Sequence, residues 1–394
     1  MIRPGATLGL VGGGQLGRMF TTRARSMGFD VWVLDPDPDS PAGGVASRHL
    51  QFGYDDPEGL TILAQGCAAV TTEFENVPAQ ALDHLAQTTR VVPPPAAVAI
   101  AQDRIKEKNF LQQHDIPTAP FATIRNREDL AIAWEAIGTP ALLKTSRLGY
   151  DGKGQATVTT GAELEAAWHR FGQVECVLER RLNLELELSV VLARDDSGTT
   201  APFPVAENVH RDGILFTSVV PARIGGAQAA AAVALAERIA AEMDYVGVMA
   251  VELFVADDGR LYANELAPRP HNSGHYTIDA CGTDQFEQQI RALCGLPLGA
   301  ATLLSPVCMI NLLGDLWQHG EPPWERVLAM PGVNLHLYGK RAPRPGRKMG
   351  HLCCLATTPD AAFALAHRAF EAVMIPSVEP APPRPSFPVS GVHA

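Results

Sequence analysis

Between residues 7 and 92 the chain alternates short apolar runs with amphipathic stretches: "TLGLVG", then "GQLGRMFTTRARSMG", then "DVWVLDP" and, later, "AAVTTEFE". The apolar runs have strand length and composition, while the stretch between the first two repeats apolar residues at helical spacing and stops at Gly28. Strand, helix, strand predicts a parallel α/β domain over residues 1–98. "VVPPPAAV" closes it, because three prolines can continue neither a helix nor a central strand. "IAQDRIKEKNFLQQHDI" then predicts one amphipathic helix. From there "PALLKTS", "QATVTT", "ECVLERRL", "LELSVVLARD", "GVMAVELFV" and "RLYANELA" predict strands, with helices at "GAELEAAWHRFG" and "AQAAAAVALAERIAAEM", an α+β pattern over 99–298. A third part, 299–375, carries "NLHLYGKRAPRPGRKMGHL" and a final helix near "AAFALAHRAFEAV". The tail 376–394 is rich in proline and reads as frayed chain.

Composition narrows the function. The length of 394 residues suits two or three domains, and 46% apolar against 19% charged residues allows large cores. A net charge of −11 argues against nucleic acid as partner, although a local basic cluster can still hold one small phosphorylated ligand. Glu237 and Arg238 interrupt the most apolar stretch, so no membrane span is predicted, and "MIRPGATLGL" enters the first strand without a signal peptide. Seven cysteines without a C-x-x-C pair, two of them the adjacent Cys353 and Cys354, point to reduced thiols in a cytoplasmic protein and to no cysteine zinc site.

Three short stretches carry candidate chemistry. "GYDGKGQ", Gly149 to Gln155, is no Walker A loop, because Gly154 stands where Ser or Thr must follow Lys153. Taken alone it fits a solvated surface turn. Gly12, Gly14 and Gly17 do match G-x-G-x-x-G between a strand and a helix, and Asp35 ends the next strand, so a dinucleotide-binding dehydrogenase is one reading; a tight turn holding no ligand is another. In "VELFVADDGRLYANEL" the dipeptide Asp258-Gly259 signals a two-residue hairpin turn. With that turn, Glu252 faces Glu265 directly across two strands. Facing like charges repel, so either both lie in water or a divalent cation sits between them, with Asn264 adding a neutral oxygen.

The order of "GGGQLGRM", "TTEFENVP", "GYDGKGQ", "ENVHRDGIL", "NELAPRPHNSGHYTIDA" and "RPGRKMGH" resembles the N5-carboxyaminoimidazole ribonucleotide synthases, ATP-dependent carboxylases of purine biosynthesis within the ATP-grasp superfamily. The resemblance runs from about residue 5 to 355. It implies an ATP-grasp fold with an N-terminal Rossmann-like preATP-grasp domain, a central lid at roughly 117–183 and a small C-terminal domain, often as a homodimer. It implies a carbon–nitrogen ligase that uses ATP, Mg²⁺ and bicarbonate to carboxylate 5-aminoimidazole ribonucleotide.

Site roles follow from the resemblance residue by residue. Arg104 and Lys144 would neutralise ATP phosphates, under a loop of Gly149, Gly152, Lys153, Gly154 and Gln155. Glu179 would meet the adenine amino group beside the Arg180, Arg181 and Leu182 backbone, Glu187 the ribose hydroxyls, and His210 would lie near the nucleotide. Glu252, Asn264 and Glu265 would carry Mg²⁺. Gln15, Leu16, Glu73, His271, Asn272 and Ser273 would bind the ribonucleotide, Lys340, Arg347 and Lys348 its 5′-phosphate, and Arg269 the bicarbonate-derived carboxylate. Tyr150, Asp151 and Lys153 would reach toward the ribonucleotide from the lid. Without the resemblance each is an ordinary solvated side chain: Arg104 on a helix face, Lys144 at a strand end, both glutamates on strands, His210 in a turn, the basic run on a hairpin. A different ATP-grasp enzyme, which would lack "APRPHNSGH", and a non-catalytic nucleotide-binding module are the other readings.

Overall fold

The computed structural model describes residues 1–149 and 153–375. The first domain is a five-stranded parallel sheet in the order Arg48–Leu50, Asp30–Leu34, Thr7–Val11, Ala69–Thr72, Arg90–Val91. Helix Gln15–Ser26 returns the chain from the first strand to the second, burying Leu16, Phe20 and Ala24 against Leu8, Leu10 and Val31. That core is completed from far along the chain by Phe286, Ile290 and Leu293 of helix Gln285–Cys294.

The predicted helix through "IAQDRIKEKNFLQQHDI" is two helices. Pro95 opens Pro95–Ala101 as a first-turn proline, where its missing N–H costs nothing. Asp103 then stops the run: its backbone is extended (φ −135°, ψ 107°), and its carboxylate accepts from the N–H groups of Ile105 and Lys106 to cap helix Arg104–Gln113. The break swings Arg104, Glu107 and Lys108 toward the interior rather than leaving them on a solvated face.

An antiparallel four-stranded sheet follows, in the order Phe121–Ile124, Cys176–Arg180, Ala141–Thr145, Gln155–Val158. Helices Arg127–Ile137 and Gly161–Arg170 cover one face, packing Leu130, Ala133, Leu164 and Trp168 on Ile124, Leu143 and Leu178. The third sheet has nine strands and joins the middle and last parts of the sequence. Strand Val307–Leu313 pairs antiparallel with Ile214–Val220, so the C-terminal strands Lys348–Leu355 and Val333–Leu337 extend the sheet that begins with Leu261–Ala267, Gly247–Ala256 and Leu184–Arg194. Helix Gly226–Glu242 packs beneath its first half, and helix Pro359–Val373 beneath its second, on Ile310, Leu312 and Leu352. Among the described residues no helix is long and apolar enough to cross a membrane. All seven cysteines are free and buried.

Candidate functional site

Glu252 and Glu265 do face each other, by a route the sequence did not suggest. The turn holds three residues, Asp257 to Gly259: Ala256 N donates to Arg260 O at 3.1 Å, and Gly259 takes the left-handed conformation (φ +77°). Pairing is therefore one residue away from the predicted register, with Val255 opposite Leu261 and Leu253 opposite Ala263. A bulge at Asn264 then restores it, and Glu265 comes opposite Glu252. Both carboxylates open partly to solvent, and the buried Oδ1 of Asn264 has no hydrogen-bond partner among the described residues. Burial, and then the Glu265 charge, pushes the Glu252 carboxyl up to about 6. The same two causes push Glu107, next to the pair, up to about 7. Crowded anions and an unpartnered neutral oxygen on the residue next to Glu265 form an oxygen-donor set that fits a hard divalent cation.

Helix Arg104–Gln113 lies against this corner. Arg104 bonds Glu265 at 3.1 Å through one guanidinium nitrogen, and through the other donates to Gly149 O at 3.3 Å, at the mouth of the glycine loop. Lys108, which sequence reasoning missed, is fully buried. Its Nζ donates to Thr118 Oγ1 (2.8 Å) and Asn264 O (3.1 Å) and stands 3.5 Å from Glu179. The signal available in the sequence was a lysine four residues after Arg104, one helical turn away on the same face.

Lys144 and Glu179 are not solvated strand positions. Both are buried, and they pair with each other at 2.8 Å. Burial alone would raise the Glu179 carboxyl; Lys108 and Lys144 overcome it and hold the group at about 2. The N–H groups of Arg180 and Arg181 are spent on Pro120 O and Pro140 O, and the Arg180 guanidinium bonds Ile137 O. Arg180 and Arg181 therefore offer a ligand no free backbone donor; their carbonyls and Leu182 are what that stretch can present. Glu187 and His210 sit on adjoining strands of the large sheet and contact at 2.5 Å. Burial would lower the imidazole, but Glu187 and then Glu252 raise it above its ordinary value. In the glycine loop, Gly154 (φ +70°) folds back so that its carbonyl accepts from Thr145 N, and Gln155 pairs with Lys144. Lys153 is exposed beside it, while Tyr150, Asp151 and Gly152 lie outside the described residues.

The first glycine loop is closed by the protein itself. Glu73 accepts from the N–H groups of Gly14 (2.6 Å) and Gly17 (2.9 Å), and Asp35 accepts from Gly13 N (2.7 Å) and the Tyr54 hydroxyl (2.8 Å). The glycine N–H groups a pyrophosphate would need, and the acid a ribose would need, are already paired, which weighs against the dinucleotide reading. The Leu16 side chain packs in the first core, so only its backbone could meet a ligand. Gln15 does face a cleft: its Oε1 accepts from Lys340 Nζ at 2.7 Å, and the same Nζ donates to Lys348 O at 2.7 Å, which brings the basic run of the last sheet onto the first domain. Arg347 is half-buried and bonds Ala342 O at 2.8 Å; burial, then neighbouring Arg344, lowers its guanidinium.

Arg269 lies between these two corners. Its Nε donates to Glu75, and Nη1 to Pro270 O at 3.2 Å. Burial would raise Glu75, but Arg269 holds it below the ordinary carboxylate range. Glu75, two residues after the predicted Glu73, is thus the member of "EFEN" that orients the arginine. His271 Nε2 faces Glu252 at 3.5 Å, and its Nδ1 meets Ser273 Oγ at 2.9 Å. Burial, reinforced by Arg269, keeps the His271 ring neutral. Ser273 is fully buried and bonded to Ser189, which bonds Asn208, so it braces His271 from behind instead of facing a ligand. Asn272 is buried with neither side-chain polar atom paired among the described residues. An orphaned carboxamide beside a buried arginine is a site that wants a polar ligand.

The chain matches three family models in order: a ribonucleotide synthetase preATP-grasp domain over residues 5–102, an ATP-grasp domain over 109–286, and a phosphoribosylaminoimidazole carboxylase C-terminal domain over 307–364. N5-carboxyaminoimidazole ribonucleotide synthase of Brucella melitensis is 47% identical over 89% of this chain and 96% of its own length. A crystal structure of an ADP complex of N5-carboxyaminoimidazole ribonucleotide synthetase aligns with TM-score 0.89 at 42% identity, covering 94% of this chain and 97% of the other. The Aspergillus clavatus enzyme in complex with ADP and 5-aminoimidazole ribonucleotide aligns with TM-score 0.87 at 30% identity, covering 93% and 98%. Identity of this size over nearly the whole of both chains places the described sheets and their carboxylate corner in one lineage: the chain belongs to the N5-carboxyaminoimidazole ribonucleotide synthase family.

Proposed function

We propose that this chain is a carbon–nitrogen ligase that carboxylates 5-aminoimidazole ribonucleotide to N5-carboxyaminoimidazole ribonucleotide, consuming ATP and bicarbonate and releasing ADP and phosphate, in purine biosynthesis. One observation carries the reading beyond family membership. His271 stands 3.5 Å from Glu252 and two residues after Arg269 in the chain, which supports reading the cation corner and the anion-binding corner as neighbours.

The roles follow from charge and reach. Glu252, Glu265 and Asn264 Oδ1 would hold Mg²⁺, whose positive charge neutralises the β- and γ-phosphates. Arg104 and Lys144 face the phosphates, Glu179 and the Arg180–Leu182 carbonyls the adenine, and Glu187 with His210 the ribose. A bicarbonate oxygen attacks the γ-phosphorus as the bond to ADP breaks, giving carboxyphosphate. Collapse of carboxyphosphate to carbon dioxide and phosphate presents carbon to the substrate amine, which forms the C–N bond and gives up a proton. Arg269, aligned by Glu75, and Asn272 hold the carboxylate; Gln15, Lys340, Arg347 and Lys348 hold the ribonucleotide and its phosphate. Lys153, exposed beside the glycine loop, would help to exclude water from the reactive anhydride; the roles expected of Tyr150, Asp151 and Gly152 fall outside the described residues. A homodimer in the cytoplasm belongs to the same reading, supported by family membership and by seven buried, unpaired thiols.

The test is ADP release from Mg²⁺-ATP with and without the ribonucleotide and bicarbonate. Stimulation by the ribonucleotide, with bicarbonate required for carboxylated product, is the expected outcome; turnover indifferent to both would point to another acid–amine pair.

A further inference from the structure

The bulge at Asn264 is what brings Glu265 opposite Glu252, and a bulge needs support because its extra residue leaves the ladder. Here the support is unusually complete. Ala263 N donates to Pro117 O at 2.7 Å, and Ala263 O accepts from Thr118 Oγ1 at 2.8 Å. Asn264 O accepts from Lys108 Nζ at 3.1 Å, and Leu266 N donates to Glu107 Oε1 at 2.6 Å. Lys108 and Glu107 are 0% and 1% exposed, so neither can exchange these partners for water. Lys108 could be no more than the counter-charge of Glu179. Its contacts say otherwise, since Glu179 stands 3.5 Å away while Thr118 and the bulge carbonyl are at 2.8 and 3.1 Å.

We propose that Lys108 and Glu107 are positioning residues of the cation corner: helix Arg104–Gln113 grips the bulge through them and sets the spacing of Glu252, Glu265 and Asn264 Oδ1. Neither touches the reacting atoms. The inference rests on the reading of those three residues as metal ligands. It adds that the geometry of the ligands is imposed by a helix far earlier in the chain, Lys108 standing 156 residues before Asn264.

The probe is Mn²⁺, counted by electron paramagnetic resonance in the presence of ADP, alongside ADP binding in chelator and the thermal midpoint. Loss of a partner that orients metal ligands weakens the metal by about ten- to a hundredfold, so Lys108→Met and Glu107→Leu should do so, while in Glu107→Leu, which leaves Glu179 and its lysines in place, ADP alone binds within about twofold of wild type. Glu107→Gln retains an oxygen that can accept from Leu266 N and should keep most of the Mn²⁺ affinity. Unchanged Mn²⁺ affinity in Lys108→Met, or metal and metal-free ADP affinities that fall together in Glu107→Leu, would overturn the proposal. If Lys108→Met does not fold, Thr118→Val removes the hydroxyl on Ala263 O and leaves every charge in place. It should weaken Mn²⁺ severalfold, and an unchanged affinity there overturns the proposal equally. Glu265→Gln separates the two ideas: Mn²⁺ bound as tightly as in wild type would remove the metal reading itself, and the clamp with it.

Discussion

Two corners of this molecule set carboxylates beside a tight backbone turn, and they end in opposite states. In the loop Gly12–Gly17 every carboxylate is paired: Glu73 takes the N–H groups of Gly14 and Gly17, and Asp35 takes that of Gly13. A Cβ at Gly12 would lie 2.6 Å from Glu73 Cγ, so the glycines admit a side chain of the protein, not a ligand. In the hairpin the two glutamates face each other with only Arg104 bonded to Glu265, and the neighbouring Asn264 Oδ1 has no donor among the described residues. The loop has the more famous motif and the hairpin the open chemistry. A glycine pattern shows only that backbone can be approached closely; which groups are left unpaired shows what is waiting to be bound.

The largest expected effect lies on the open side. Glu265→Gln should lower kcat by about two to three orders of magnitude with the thermal midpoint little changed, as befits a charge needed only when phosphoryl transfer occurs. Near-normal turnover at ordinary Mg²⁺ would break the comparison, because the hairpin would then be as closed as the loop. Glu75→Leu leaves the half-buried Arg269 without its carboxylate partner, and should cost roughly 1–3 kcal/mol of unfolding free energy in denaturant titration, together with most of the activity. A loss of activity at full stability would mean that Glu75 acts on the ligand and not through Arg269.

Glu179 gives a pH signature. Its folded value of about 2 lies below the ordinary 4.5, so its contribution is present above pH 4.5 and is lost as pH falls toward 2. That contribution is of the order of 3 kcal/mol. The stability difference between wild type and Glu179→Gln should therefore narrow between pH 5 and pH 3; a constant difference would show that Lys108 and Lys144 do not hold the carboxylate ionised. Arg347→Ala should raise the KM for the ribonucleotide about tenfold and leave that for ATP unchanged, and a selective loss of ATP affinity would move the basic run to the other corner. The smallest expected effect is none: NADH fluorescence should not respond to the protein, and a saturable change would reopen the loop that Glu73 closes.

Much of the fold was legible in the chain. Apolar periodicity marked the parallel first sheet and the strands of the other two, since burying one face repeats every second or every third to fourth residue whatever the partner. It misjudged the run through Asp103, where a side chain's preference for capping outweighs an uninterrupted amphipathic pattern. The motifs marked Arg104, Lys144, Glu179, Glu252, Glu265 and Arg269, of which the structure pairs Arg104 with Glu265, Lys144 with Glu179 and Glu252 across from Glu265. They left out Glu75 and Glu107, whose work is done on neighbouring groups and has no residue spacing of its own, and Lys108, signalled only by its place one turn after Arg104.

The hairpin separates the two kinds of information. The sequence by itself determined that two strands meet near Asp258-Gly259 and that two glutamates stand on them, because turn chemistry and alternation are local. Which residues face each other was a tertiary decision. The three-residue turn displaced the register by one, and the bulge at Asn264, held from the outside by helix Arg104–Gln113, put it back. A one-residue slip sends every side chain of a strand to the other face, so the choice falls to whatever packs against the strand. In this protein that is a buried lysine and a buried glutamate from a distant part of the chain.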